Sequence, residues 1–163
     1  MIAGGGPGRL ASLPVEPQTS CAGWTGLDVL VAYALLRLRS DVFVVEQQCA
    51  YPDLDGRDTE ATTEHRWAHE AGDPASVLAY LRVLRDPAGL RIGRVVTAPP
   101  ARGRGLAGAL VQQVLTERGS DSAVVLDAQT HLSAWYGRFG FVADGQDFVE
   151  DGIPHRPMRR PSG

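Results

Sequence analysis

Pro99 and Pro100 separate an apolar stretch, Leu90 to Ala98, from the segment Arg102-Gly103-Arg104-Gly105-Leu106-Ala107, and this punctuation constrains the fold more than any other part of the chain. Two successive residues without an amide hydrogen stop a strand ladder. The glycines that follow permit a tight turn with positive dihedrals. Leu106, Leu110, Val111, Val114 and Leu115 then recur on one side of a helix over residues 106–118, with Gly119 as its expected stop. The order strand, glycine turn, amphipathic helix is thereby set, and Ala123 to Asp127 offers the next strand.

The other elements follow the same logic. Leu27, Leu30, Val31, Ala34, Leu35 and Leu38 form one helical stripe, expected to be buried, with Arg37 and Arg39 off its core side and an end near Asp41 to Phe43. Cys49 to Thr63 reads as an irregular acidic loop with one short helix. His65 to Glu70, Ser76 to Arg85 and Leu90 to Ala98 are strand candidates, the last two joined by Asp86-Pro87-Ala88-Gly89 as an antiparallel hairpin. A short helix at His131 to Phe139 and strands around Phe141 to Val149 and Pro154 to Arg159 complete the pattern. Residues 1–26, rich in Gly and Pro, are expected to form a flexible tail with one short strand near Ser20 to Trp24, and residues 27–163 a single domain.

All 16 cationic side chains are Arg, which excludes a lysine Schiff base, a lysine nucleophile and a phosphate-loop lysine. The N-terminal Gly run is therefore not read as a phosphate loop. A net charge of −3 argues against a nucleic-acid partner and in favour of a small ligand. Cys21 and Cys49 lack metal-ligand spacing, and no metal is expected. Asp53, Asp55 and Asp58 alternate like a calcium loop, but Gly56 comes too early and the terminal Glu is missing, so a solvated turn is expected. With no signal-like start and no run of about 20 apolar residues, the reading is a cytoplasmic protein with no membrane partner.

Gly103 and Gly105 let the backbone approach a bulky anion at a helix N-terminus, to which Arg102 or Arg104 adds charge. Taken alone, a plain helix start with solvated arginines is the better reading of the segment. Its context carries more. Arg91 to Ala98, Arg102 to Ala107, Val124 to Asp127 and Trp135-Tyr136-Gly137-Arg138-Phe139-Gly140-Phe141 resemble the core motifs of the GCN5-related N-acetyltransferase (GNAT) superfamily. Phe43-Val44-Val45-Glu46-Gln47, Tyr51 to Gly56, His65, Gly93-Arg94-Val95, Ala128-Gln129, His131-Leu132 and Glu150-Asp151-Gly152-Ile153-Pro154-His155 resemble its ElaA-like branch. The likeness covers about residues 27–160.

The resemblance implies an α/β (α+β) fold with a mixed, mostly antiparallel sheet whose central strands splay apart, flanked by helices. It implies acetyl-CoA as co-substrate, its pantetheine paired with backbone of Val95, Val96 and Thr97, one amide there holding the thioester carbonyl. Amides of Arg102, Gly103, Arg104, Gly105, Leu106 and Ala107 would take the pyrophosphate. Gln129 stands where the wider superfamily often has Asn, a departure that shifts whatever contact it makes with the cofactor. Tyr136 occupies the place of the tyrosine that protonates the departing thiolate, although a ring anchoring its helix against Phe139 and Phe141 would look the same in sequence.

The acceptor implied is an amine of a small molecule or peptide. For its deprotonation Glu46 is the first candidate, then His65, then His155, with a water chain as a further route, and each side chain also has an ordinary structural reading. Asp55, Asp58 and Glu150, together with His65 and His155, are the expected acceptor-side residues, their negative field favouring a cationic amine. A non-catalytic CoA- or nucleotide-binding module on the same fold is the alternative, and a homodimer is left open.

Overall fold

The computed structural model describes residues 16–118 and 122–162. One sheet organises the chain. Its strands are β1 (Gln18–Ala22), β2 (Glu64–Glu70), β3 (Asp73–Asp86), β4 (Gly89–Thr97), β5 (Val124–Gln129), β6 (Val142–Ala143), β7 (Phe148–Glu150) and β8 (Ile153–Arg160), in the order β1-β2-β3-β4-β5-β8-β6, with β7 also on β8. Every pairing is antiparallel except β4 with β5. A parallel neighbour requires a crossover, and α2 (Leu106–Arg118) supplies it. The expected stop at Gly119 lies outside the described residues, as does the tail over 1–15; the strand expected near residues 20–24 is β1, an edge of the sheet.

The β3–β4 hairpin turns at the expected place. Gly89 has φ +129°, and a Cβ there would sit 2.2 Å from the Ala123 carbonyl oxygen, so both the turn and the neighbouring backbone require glycine. The sheet carries a core on each face. Leu110, Val111, Val114 and Leu115 of α2 pack with Leu81, Val83, Ile92, Val124, Leu126, Tyr136 and Phe141, Tyr136 coming from α3 (Ser133–Gly137). On the opposite face α1 (Val29–Arg39) packs Val31, Leu35 and Leu38 against Trp67, Tyr80 and Val96.

Three expectations about individual elements are corrected. Leu30 is 66% exposed, so the buried stripe of α1 is Val31, Leu35 and Leu38, a narrower set than expected. The helix does not stop at residues 41–43: burial of Val42, one turn beyond Leu38, carries it on as a π-helical segment, Ser40–Glu46. Phe141 to Val149 is also not one strand, because the chain breaks at Gly145 (φ +144°) between β6 and β7.

Arg39 is the largest correction. It is fully buried, donating from Nε to Asp53 (2.9 Å), from Nη1 to Asp58 (2.6 Å) and from Nη2 to the Asp53 carbonyl (2.8 Å). Asp58 is shared with Arg82 of β3 (2.9 Å), and Asp53 with Arg94 of β4 (2.7 Å). The acidic loop is thus clamped onto α1 and the sheet by three arginines instead of forming a solvated turn. Burial opposes ionisation of Asp58, yet the two guanidiniums hold its carboxyl below the usual range.

No helix among the described residues is long and apolar enough to cross a membrane.

Removing Arg39 leaves two buried carboxylates with one arginine each, so Arg39→Leu is expected to lose about 3 kcal/mol, the low end for a broken buried ion pair. Arg37, 69% exposed beside Asp41, is the control: Arg37→Ala is expected to stay within about 0.5 kcal/mol. Urea unfolding of both variants measures the contrast; equal losses would contradict the clamp.

Candidate active site

β4 and β5 pair only at Leu90 with Val124 and Arg91 with Val125. Beyond that point the strands diverge. On its other side β4 stays with β3, but a bulge interrupts the register between Tyr80 and Arg82, and Arg94 adopts φ +54° there. From Ile92 onward β4 therefore has no strand partner toward β5, and the opening forms a cavity of about 330 Å³. Gly93, Arg94 and Val95 line one wall, Leu126, Asp127 and Gln129 the other. The acidic loop contributes Cys49, Tyr51 and Asp55, and the β7–β8 hairpin contributes Glu150, Asp151 and His155.

Val95 lies in the cavity wall, Val96 is buried opposite Tyr80, and Thr97 closes the strand opposite Ala79. Gln129 ends β5, faces the cavity and donates its amide to Gln47 (3.3 Å). Thr130, next in the chain, keeps a buried hydroxyl oxygen without a hydrogen-bond partner among the described residues.

Arg102, Gly103, Arg104 and Gly105 form the exposed turn into α2, whose first residues are Leu106 and Ala107. Gly103 and Gly105 have φ +78° and +76°, and a Cβ on either would meet nothing within 4 Å. The turn is thus open to solvent above the unpaired amides of a helix N-terminus, a fit for a pyrophosphate. The Gly105 carbonyl oxygen is used by the helix, accepting from Ala109 N (3.0 Å).

Tyr136 lines the cavity from below, its ring edge-on to Trp135 (4.7 Å) and Phe141 (6.0 Å). Its hydroxyl has no hydrogen-bond partner among the described residues, and burial pushes its pKa up, so the phenol keeps its proton through the neutral range.

Other expected residues lie elsewhere. His65 is buried outside the cavity. Its Nε2 faces the Asp58 carbonyl (2.9 Å) and must donate, so Nδ1 accepts from the Tyr80 hydroxyl (2.8 Å). Both ring nitrogens are used and burial lowers its pKa, which corrects its assignment as a base or acceptor contact. Asp58, buried between Arg39 and Arg82, is likewise removed from the acceptor side. Asp55 does line the cavity, but Arg82 (2.6 and 2.8 Å) and Arg94 (3.3 Å) neutralise it; despite desolvation, these arginines hold its carboxyl well below the usual range. Both oxygens of Glu46 accept from Arg102 Nη2 (2.8 and 2.9 Å), and Glu46 is not part of the cavity wall.

Sequence reasoning missed the strand arginines. Arg82, Arg91 and Arg94 all line the cavity, and a charge inside apolar strands was the available signal. Arg91 bridges the diverging strands to Asp127 (2.6 Å). Of the cavity's carboxylates, Glu150 and Asp151 alone have no cationic partner among the described residues. Nor does any group of three or more His, Cys, Asp or Glu among these residues have metal-binding geometry.

Residues 41–161 match the family model described as acetyltransferase (GNAT) domain. A UPF0039 protein of Mycobacterium tuberculosis is 48% identical over 139 residues, 83% of this chain and 87% of that protein. Protein ElaA of Escherichia coli is 39% identical over 142 residues, 82% of this chain and 90% of ElaA. The crystal structure of an acyl-CoA N-acyltransferase from Pseudomonas aeruginosa superposes with a TM-score of 0.82 at 42% identity, covering 89% of this chain and 99% of that one.

Gly105→Val places a branched side chain at a positive φ over the open turn. CoA affinity by calorimetry is expected to fall at least tenfold, a loss of about 1.4 kcal/mol or more, while the protein stays folded. Unchanged affinity would show that this turn does not hold the pyrophosphate.

Proposed function

Because the chain belongs to the GNAT acetyltransferase family, in its ElaA-like branch, we propose that it transfers an acetyl group from acetyl-CoA to an amine of a small molecule or peptide by direct attack on the thioester. The observation that carries this reading is the cavity between β4 and β5. It combines strand backbone lacking a partner, a protonated buried phenol and two uncompensated carboxylates in one space.

Acetyl-CoA supplies the activated acyl carbon. The chain's own groups do the rest. Backbone of Val95 to Thr97 holds the pantetheine as an added strand would be held, with one amide on the thioester carbonyl. Amides of residues 102–107 take the pyrophosphate at the start of α2, and that anion draws Arg102 away from Glu46. Gln129 orients the cofactor at the end of β5. Tyr136 donates its proton to the departing sulfur, a role for which burial keeps it neutral.

On the acceptor side the arginine charges are matched by Asp53, Asp55, Asp86 and Asp127, leaving the field of Glu150 and Asp151. That field attracts a cationic amine and disfavours an anionic one.

The test is CoA-thiol release with a panel of amines of different charge, product mass confirming acetylation. Wild type is expected to acetylate cationic amines with the lowest KM. Tyr136→Phe keeps the ring and is expected to lower kcat about a hundredfold, the low end for general acid catalysis, because a thiolate is a good leaving group. Its CoA affinity and melting temperature should not change. A kcat within about twofold of wild type, roughly 0.4 kcal/mol, would return Tyr136 to a packing role. Binding of CoA or ADP with no acetylation of any amine would favour a non-catalytic binding module.

A further inference from the structure

We propose that His155 is the general base of this acyl transfer, the group that takes the proton from the incoming amine; the proposal rests on the acetyltransferase reading above. His155 lies near the start of β8, directly across from Gln129 at the end of β5, and its side chain lines the same cavity as Tyr136. Its Nδ1 is 2.9 Å from the Ile153 carbonyl oxygen. A carbonyl only accepts, so Nδ1 carries the hydrogen, and in the neutral ring the lone pair is on Nε2. Phe148 stacks on the imidazole at 5.7 Å with an interplanar angle of 23°, fixing the ring plane. Backbone and aromatic neighbour together preset one tautomer and one orientation, with Nε2 unengaged by any hydrogen bond among the described residues.

The other base candidates named in the sequence, and the cavity carboxylates on β5 and the acidic loop, are committed. His65 uses both nitrogens in the core, Glu46 is held by Arg102, Asp127 by Arg91, and Asp55 by Arg82. The charged groups that share the cavity with His155 are Glu150 and Asp151 on its own hairpin, Asp127 on β5, Arg91 and Arg94 on β4, Arg82 on β3, and Asp55 and Arg57 from the acidic loop. The six on strands and loop form ion pairs, which leaves the two hairpin carboxylates to attract the ammonium toward the imidazole.

An amine reaches the site as an ammonium and becomes a nucleophile on losing a proton. That proton goes to Nε2 of His155 and is then released to solvent. The freed amine forms its bond to the acyl carbon as the carbon–sulfur bond breaks. Tyr136 protonates the sulfur, and the second proton shed by the new amide nitrogen restores the phenol.

Two readouts test the proposal. In the substrate-free protein, long-range nitrogen–proton NMR of the histidine rings is expected to show neutral His155 protonated at Nδ1, the less common tautomer in free histidine. In kinetics, His155→Gln is expected to lower kcat/KM about a hundredfold or more, to remove the acid limb of the pH profile and to be partly rescued by added imidazole, with acetyl-CoA affinity and melting temperature unchanged. His155→Asn should behave alike. A ring protonated at Nε2, or variants within about twofold of wild type with the acid limb intact, would overturn His155 as the base while leaving the acetyltransferase reading standing. A wild type that acetylates no amine would overturn that reading and the base with it.

Discussion

Two residue pairs, Leu90 with Val124 and Arg91 with Val125, join the parallel strands at the centre of the sheet, and the rest of the molecule is arranged around their separation. Keeping β4 and β5 apart leaves peptide groups without a ladder partner, a cost of roughly 1 kcal/mol or more for each buried group unless something else pairs with it. The bulge that interrupts β3–β4 pairing has a second effect. It places Arg94 in a left-handed conformation from which its guanidinium reaches Asp53 and Asp55 and lies 5.5 Å over the Tyr51 ring. The same local distortion thus opens the cavity and fixes the loop that walls it.

Electrostatics in this protein is arginine chemistry throughout. A guanidinium presents a planar fork of donors and is more weakly hydrated than an ammonium, which suits it to buried, multiply bonded positions. Arg39 and Arg82 use that fork to tie three loop aspartates to α1 and β3. The consequence for function is subtraction: carboxylates that look like an acidic acceptor site in sequence are mostly neutralised, and the uncompensated charge is displaced to the β7–β8 hairpin.

Much of the fold was legible because periodicity and punctuation agreed. Pro99-Pro100, the two turn glycines and the α2 stripe gave the strand–turn–helix unit, and Asp86 to Gly89 gave the hairpin. The failures share a cause. Arg39 and Arg37 are two residues apart on one helix and look alike as solvated charges, yet one is fully buried because Asp53 and Asp58, distant in sequence, arrive to pair with it. His65 and His155 are likewise equivalent as letters. Tertiary neighbours decide that one ring is satisfied at both nitrogens while the other keeps a free lone pair in the cavity. The π-helical continuation through Glu46 was hidden for a similar reason, since its driving contact is the burial of Val42.

The central claim is that the separated strands and the open turn before α2 bind one extended molecule of CoA. Amide NMR of the labelled protein during a CoA titration tests it most directly. The account predicts that Gly103, Gly105, Leu106 and Ala107 shift along one saturation curve together with Val95, Val96 and Thr97. Shifts of the turn with no change along β4, or the same full pattern produced by ADP alone, would contradict it.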